Sequence, residues 1–179
     1  MTPHPSSPRL VIVVRHAKSE HSGVRDRDRR LTERGRGDAS SAAAAVGAAL
    51  GGSAASGEVV ALVSSSARTY ETWQQLAARL PVAVDERVSD ELYDAGIDDV
   101  VDLVARLDDG VSAAIVVGHN PTMQATVHTL AGGGDPGALA LLGERGFPTA
   151  SVAVLAHEGE WSELAPDSCR LRAFDVGRG

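Results

Sequence analysis

Three short runs constrain most strongly what this chain of 179 residues can fold into: "RLVIVV" (9–14), "VVALVS" (59–64) and "SAAIVVG" (112–118). Each is almost continuously apolar and rich in β-branched residues. A strand that alternates polar and apolar residues keeps one face wet, whereas a continuously apolar strand is covered on both faces. The segments between these runs carry helical signals. Thr32 caps a helix from Glu33 through an Ala-rich stretch to Leu50, although Gly35, Gly37 and Gly47 weaken it. A second helix spans about 67–80 and stops at Pro81. Between Asp98 and Leu107, Val100, Val101, Leu103 and Val104 follow helical spacing. Asn120-Pro121 opens a further helix, with Asn as N-cap and Pro in the first position. "VAVDE" (82–86) and "ASVAVLA" (150–156) add strands, and residues 161–164 and 170–174 read as antiparallel edges. "GGSAASGE" (51–58) and "AGGGDPG" (131–137) read as loops. The alternation implies an α/β fold: a three-layer α/β/α sandwich around a mainly parallel central sheet with antiparallel strands at an edge.

The length suits one domain, expected over residues 9–179, preceded by a disordered tail over 1–8, "MTPHPSSP". Aromatic residues make up only 3% of the chain, so the core is expected to be built from small aliphatic side chains. No apolar run is long enough to span a membrane, and a single Cys169 rules out an internal disulfide framework. These features favour the cytoplasm and no membrane partner. The net charge of −7 argues against nucleic acid as a partner. Yet residues 9–36 hold nine Lys and Arg against four Asp and Glu. That local excess reads either as a solvated surface or as an anion-attracting rim on an acidic protein.

In open α/β sheets, ligands bind beyond the carboxyl ends of the strands. The first strand ends in Arg15-His16. The second leads into "SSSARTYET", which places Arg68 near the first turn of the next helix. The third ends in "GHN", which delivers His119 just before a helix start. A histidine or arginine at one such place is usually structural or solvated. Two imidazoles and two guanidiniums from three strand ends suit a phosphoryl group. The arginines grip and neutralise its oxygens, one imidazole attacks phosphorus, and the other stabilises the charge that develops. No metal or other cofactor is needed for that chemistry.

Several motifs resemble the histidine phosphatase superfamily, also called phosphoglycerate-mutase-like. They are "RHAKS" (15–19), "RRLTERGRGDA" (29–39), Ser64-x-x-x-Arg68-x-x-x-Thr72, "VVGHNP" (116–121) and "FPTASVAVL" (147–155). The resemblance implies that His16 is the phospho-accepting nucleophile and that Arg15, Arg68 and His119 complete the phosphate pocket. Ser19 falls in the motif's serine position, at the substrate edge. Ser22 stands where many mutase-type members have Asn, and Ala17 replaces the usual Gly, adding a Cβ next to the pocket. The short chain is most similar to the small SixA-type phosphohistidine phosphatases. Larger members use a carboxylate as general acid, and "SDELYDAG" (89–96) offers Asp90 and Glu91 for that role or as solvent-facing charge. Asp28 and Glu33 are candidates to orient Arg15 or Arg68 from behind, or are simple surface charges.

The expectation is a metal-independent phosphatase acting through a phosphohistidine on a phosphorylated small molecule or a phosphohistidine-bearing protein. A phosphate-sensing or phosphoprotein-binding module without turnover, and a phosphomutase, are the alternatives. The sequence leaves the oligomeric state open.

Overall fold

In β1 (Arg9–Arg15), Leu10, Ile12 and Val14 enter one apolar cluster, while Val11 and Val13 enter another. Successive side chains of a strand point to opposite faces, so both faces of β1 are covered. The same division holds in β2 (Glu58–Ser64), where Val59, Ala61 and Val63 face one cluster and Val60 and Leu62 the other. It recurs in β4 (Val111–Gly118). This is why the three runs are continuously apolar. Each fully buried Val or Ile is worth roughly 1.5–3 kcal/mol relative to exposure.

The computed structural model describes residues 7–21, 23–51 and 57–178. The remaining strands are β3 (Asp85–Ser89), β5 (Ala131–Gly134), β6 (Ser151–His157) and β7 (Cys169–Val176). All seven form one sheet in the order β3-β2-β4-β1-β6-β7-β5. The pairings β3–β2, β2–β4, β4–β1 and β7–β5 are parallel, and β6 runs antiparallel to both its neighbours. Helices α1 (Glu33–Leu50) and α2 (Ala67–Ala77) supply Val46, Leu50, Trp73 and Leu76 to one face. Helices α3 (Ile97–Ala105), α4 (Thr122–Leu130) and α5 (Pro136–Arg145) supply Val100, Met123, Val127 and Leu142 to the other. The result is the three-layer, mainly parallel architecture expected from the sequence. Among the described residues no helix is long and apolar enough to cross a membrane.

Several local expectations need correction. The antiparallel strand is interior, and the two edge strands, β3 and β5, are each parallel to their neighbour. Residues Trp161–Glu163 form a 3-10 turn instead of an edge strand; Trp161 is fully buried there and donates its indole N–H to the Val111 carbonyl at 2.9 Å. The segment read as a loop over 131–137 holds β5 and the start of α5. A Cβ on Gly134 would lie 2.3 Å from the Leu171 carbonyl oxygen, so only glycine lets β5 approach β7 there. Asp135 then caps α5, its carboxylate accepting from the Ala138 N–H at 2.8 Å. Gly35 plays a comparable part in α1. Thr32 caps that helix as expected, and a Cβ on Gly35 would lie 2.0 Å from the Lys18 carbonyl oxygen. Helix α4 begins at Thr122, one residue later than expected, and Asn120 Oδ1 still accepts from the Gln124 N–H at 3.3 Å. The expected tail and the loop before β2 fall largely on residues 1–6 and 52–56, outside the described residues.

Candidate active site

Strands β2, β4 and β1 are adjacent in the sheet, so their carboxyl ends open onto one place. Arg15 pairs with Gly118 in the β1–β4 register, and the His16 N–H donates to the Gly118 carbonyl at 3.0 Å. That ladder sets His16 beside His119, with ring centroids 5.4 Å apart. Arg68 enters from the first turn of α2, whose N-cap Ser66 accepts from Thr69 N–H. Arg15, His16, Arg68 and His119 line one cavity of about 240 Å³ together with Ser19. Lys18 and Arg29 also line it, and among the described residues no carboxylate does.

The hydrogen bonds assign the proton on His16. Nδ1 lies 2.8 Å from the Ala17 carbonyl, which can only accept, so Nδ1 carries the hydrogen and Nε2 keeps its lone pair. Burial first, and then the neighbouring charges of His119, Arg68 and Arg15, together lower the His16 pKa to about 3 against the raising effect of the Ala17 bond. His119 is lowered to about 4, again by burial first and then by Arg68. Its Nε2 lies 2.8 Å from Ser64 Oγ, and its Nδ1 is buried without a partner. Arg15 donates to the Phe147 carbonyl at 2.9 Å, leaving its buried Nε without a partner. Arg68 donates through its two terminal nitrogens to Asp26, at 2.6 Å to the carbonyl and 3.0 Å to the carboxylate, and its Nε is likewise unpartnered. Three of the five unpartnered buried polar side-chain atoms among the described residues thus belong to this cavity. Buried polar groups are rarely left unpaired; the two arginine Nε atoms are donors, and His119 Nδ1 is one when Nε2 accepts from the Ser64 hydroxyl.

The backbone beneath the site is fixed from several sides. Thr72 is fully buried; its hydroxyl oxygen accepts from the Ala17 N–H at 3.0 Å and donates to the Arg68 carbonyl at 2.7 Å. Ala150, at a left-handed φ of 61°, donates its N–H to the His16 carbonyl at 3.1 Å. A non-glycine residue there costs about 1–2 kcal/mol, and this bond holds His16 against β6.

Other expected residues lie elsewhere or differ in detail. Ser19 lines the cavity and accepts from Arg29 at 2.8 Å. Ser22 lies outside the described residues. The Ala17 methyl does not border the cavity: it packs with Leu31, Ala39 and Ala150. Asp90 is exposed and holds Ser65 and Arg27. Asp90 and Glu91 line a different depression with Asp94 and Asp99, and neither lines the cavity that holds His16 and His119. Asp28 pairs with Arg25 at 2.8 Å, and the carboxylate on Arg68 is Asp26. Sequence reasoning missed Asp26, Arg29 and Tyr93, whose hydroxyl donates to Asp26 at 2.7 Å. Among the described residues, no group of three His, Cys, Asp or Glu side chains is placed to hold a metal ion.

The two lowered imidazoles predict a pH dependence of stability. Between the ordinary histidine value of 6.5 and the folded values of about 3 and 4, the unfolded chain binds more protons than the native one. Stability therefore falls as pH is lowered below 6.5, by up to about 1.4 kcal/mol per pH unit for each histidine. Urea midpoints at pH 7, 6 and 5 in phosphate-free buffer should fall steadily. Replacing either histidine should flatten the fall, and an equally steep fall in both variants would contradict the assignment.

Comparison with known proteins gives the chain its family. A family model for the histidine phosphatase superfamily (branch 1) matches residues 11–93. The uncharacterized protein ML1117 of Mycobacterium leprae is 35% identical over 92% of this chain and 100% of its own length. Two solved proteins named "putative phosphohistidine phosphatase SixA" superpose closely. The one from Nakamurella multipartitia has a TM-score of 0.76 and 30% identity, covering 97% of this chain and 99% of that one. The one from Agrobacterium tumefaciens has a TM-score of 0.73 and 29% identity, covering 94% and 98%. By its motifs, its fold and these relatives, the chain belongs to the histidine phosphatase superfamily, in the SixA-type branch.

Proposed function

We propose that this phosphatase hydrolyses phosphohistidine or a comparably activated phosphate through a covalent phosphohistidine at His16. The observation that carries this reading is the His16 Nε2 lone pair beside the unpartnered Arg15 Nε, Arg68 Nε and His119 Nδ1, in a cavity that no carboxylate lines among the described residues.

The lone pair of His16 Nε2 forms a bond to phosphorus, and the bond from phosphorus to the leaving group breaks with its electron pair going to that group. Arg15 and Arg68 spread the charge of the equatorial oxygens. With the Ser64 hydroxyl donating to Nε2, His119 offers Nδ1–H to a third. Water then attacks phosphorus, the N–P electron pair returns to Nε2, and inorganic phosphate leaves with the water's oxygen.

The leaving group must take a proton. Positioned general acids typically contribute about 10²–10⁴ in rate. An alkoxide needs that help, whereas an imidazole departs readily once its ring is protonated from solution, and an aryl oxide is a good leaving group unaided. Asp90, engaged by Ser65 and Arg27 outside the cavity, is poorly placed to give it. The open basic rim suits a protein-borne phosphate, and the single unpaired Cys169 is in keeping with a cytoplasmic setting.

A panel of a phosphohistidine peptide, an aryl phosphate and an alkyl phosphate tests this. The first two should exceed the alkyl ester in kcat/KM by about 10² or more. Equal rates for all three, with an alkaline limb from a carboxylic acid, would defeat the reading.

A further inference from the structure

We propose that Asp26 is a positioning residue that holds the Arg68 and Arg29 guanidiniums against the cavity, and that Tyr93 holds Asp26 in turn. The proposal rests on the phosphatase reading above.

Asp26 lies in the 3-10 turn Asp26–Asp28, within a run of alternating charges. Each of its acceptor atoms is used. Its carbonyl takes one terminal nitrogen of Arg68 at 2.6 Å, and Oδ2 takes the other at 3.0 Å. Oδ2 also accepts the Tyr93 hydroxyl at 2.7 Å, and Oδ1 accepts Arg29 at 3.0 Å. Arg29 continues to Ser19 Oγ at 2.8 Å and to the Glu20 carbonyl at 2.6 Å. A chain of charge-assisted bonds therefore runs from α2, through Asp26, to the segment after β1. It joins three residues that line the cavity: Arg68, Arg29 and Ser19. Tyr93 also stands edge-on to His119, with ring centroids 5.6 Å apart. The Tyr93 hydroxyl and Arg68 keep the Asp26 carboxyl lowered to about 2, so it acts as a fixed anion at working pH.

The geometry separates orientation from stability. The Asp26 side chain is 53% exposed. Ion pairs of such a group add little to folding. What this one determines is the direction of a guanidinium on a side chain only 8% exposed. With both terminal nitrogens directed to Asp26, the remaining N–H groups of Arg68 have a defined orientation. Small misplacements of a group that stabilises the transferring phosphoryl are costly in rate.

The test compares Asp26→Ala, Tyr93→Phe and Asp28→Asn with the parent, using the aryl phosphate. Inhibition by vanadate and by inorganic phosphate, and urea midpoints, are measured alongside. Asp26→Ala should lower kcat about 10- to 100-fold, the loss expected from charge-assisted bonds, with a smaller change in KM. Vanadate, which takes up a five-coordinate geometry, should lose more affinity than phosphate, while the urea midpoint stays near the parent's. Tyr93→Phe should lower kcat in the same direction by about tenfold or less. Asp28→Asn should match the parent, since among the described residues the Asp28 carboxylate holds only Arg25. Asp26→Ala with the parent's kcat, or with equal losses of vanadate and phosphate, would overturn the positioning role alone. So would loss of its cooperative unfolding transition. A parent that turns over neither the aryl phosphate nor the phosphohistidine peptide would overturn both readings.

Discussion

Replacing His16 by alanine should lower turnover by about 10⁴-fold or more, the scale expected when a covalent nucleophile is removed. The parent, mixed briefly with labelled phosphosubstrate and quenched in base, should carry acid-labile phosphate; His16→Ala protein should carry none. His16 is 9% exposed, and among the described residues its side chain's one hydrogen bond is Nδ1–H to the neighbouring Ala17 carbonyl. Its removal leaves Arg15, Arg68 and His119 with the partners they already have. The variant should therefore still bind inorganic phosphate, which separates loss of the nucleophile from loss of the pocket. His16 is also held neutral at a cost, with its pKa lowered to about 3. Alanine removes that cost below pH 6.5, so the variant should lose less stability on acidification than the parent. Parent-level hydrolysis by a folded His16→Ala protein would move the nucleophile elsewhere.

The cluster of Arg15, His16, Arg68 and His119 was legible because three strand ends are written plainly in the sequence. Apolar runs locate β1, β2 and β4, and whatever follows them must gather at one edge of a parallel sheet. Arg15, His16 and His119 follow directly, and Arg68 follows from the capped start of α2. The surrounding carboxylates had no such marker. Asp26 and Asp28 sit two residues apart in "RDRDRR", and only the 3-10 turn decides that one meets Arg68 and the other Arg25. Asp90 and Glu91 were offered as general acid or as solvent-facing charge, and Arg27 and Ser65 hold Asp90 outside the cavity. The edge strand β5 was invisible for another reason. Its "AGGG" has no strand propensity, and it forms because a backbone without side chains can lie close against β7. The helix after it was lost with it, because Pro136 and Gly137 read as loop although Pro136 is the first residue of α5.

Arg68→Ala should lower kcat about 10²- to 10³-fold, as for loss of a preorganised donor to a developing oxyanion. A second effect follows from the same charge. After burial, Arg68 is among the influences that hold both His16 and His119 below the ordinary histidine range. Removing a cation makes each ring easier to protonate, so both values should rise. The acid limb of kcat/KM, set by the need for a neutral His16, should move to higher pH in the variant. Arg68→Lys separates the two effects. It restores a charge but not the fork that reaches both the Asp26 carbonyl and its carboxylate. The limb should return toward the parent's position while most of the rate loss persists. Asp26 keeps Tyr93 and Arg29 as partners in either variant, so the fold should survive. A rate loss without any movement of the limb would mean that Arg68 acts on the substrate alone. Movement of the limb at parental rate would leave it a bystander charge, and the phosphoryl group would have to be held by Arg15 and His119 without it.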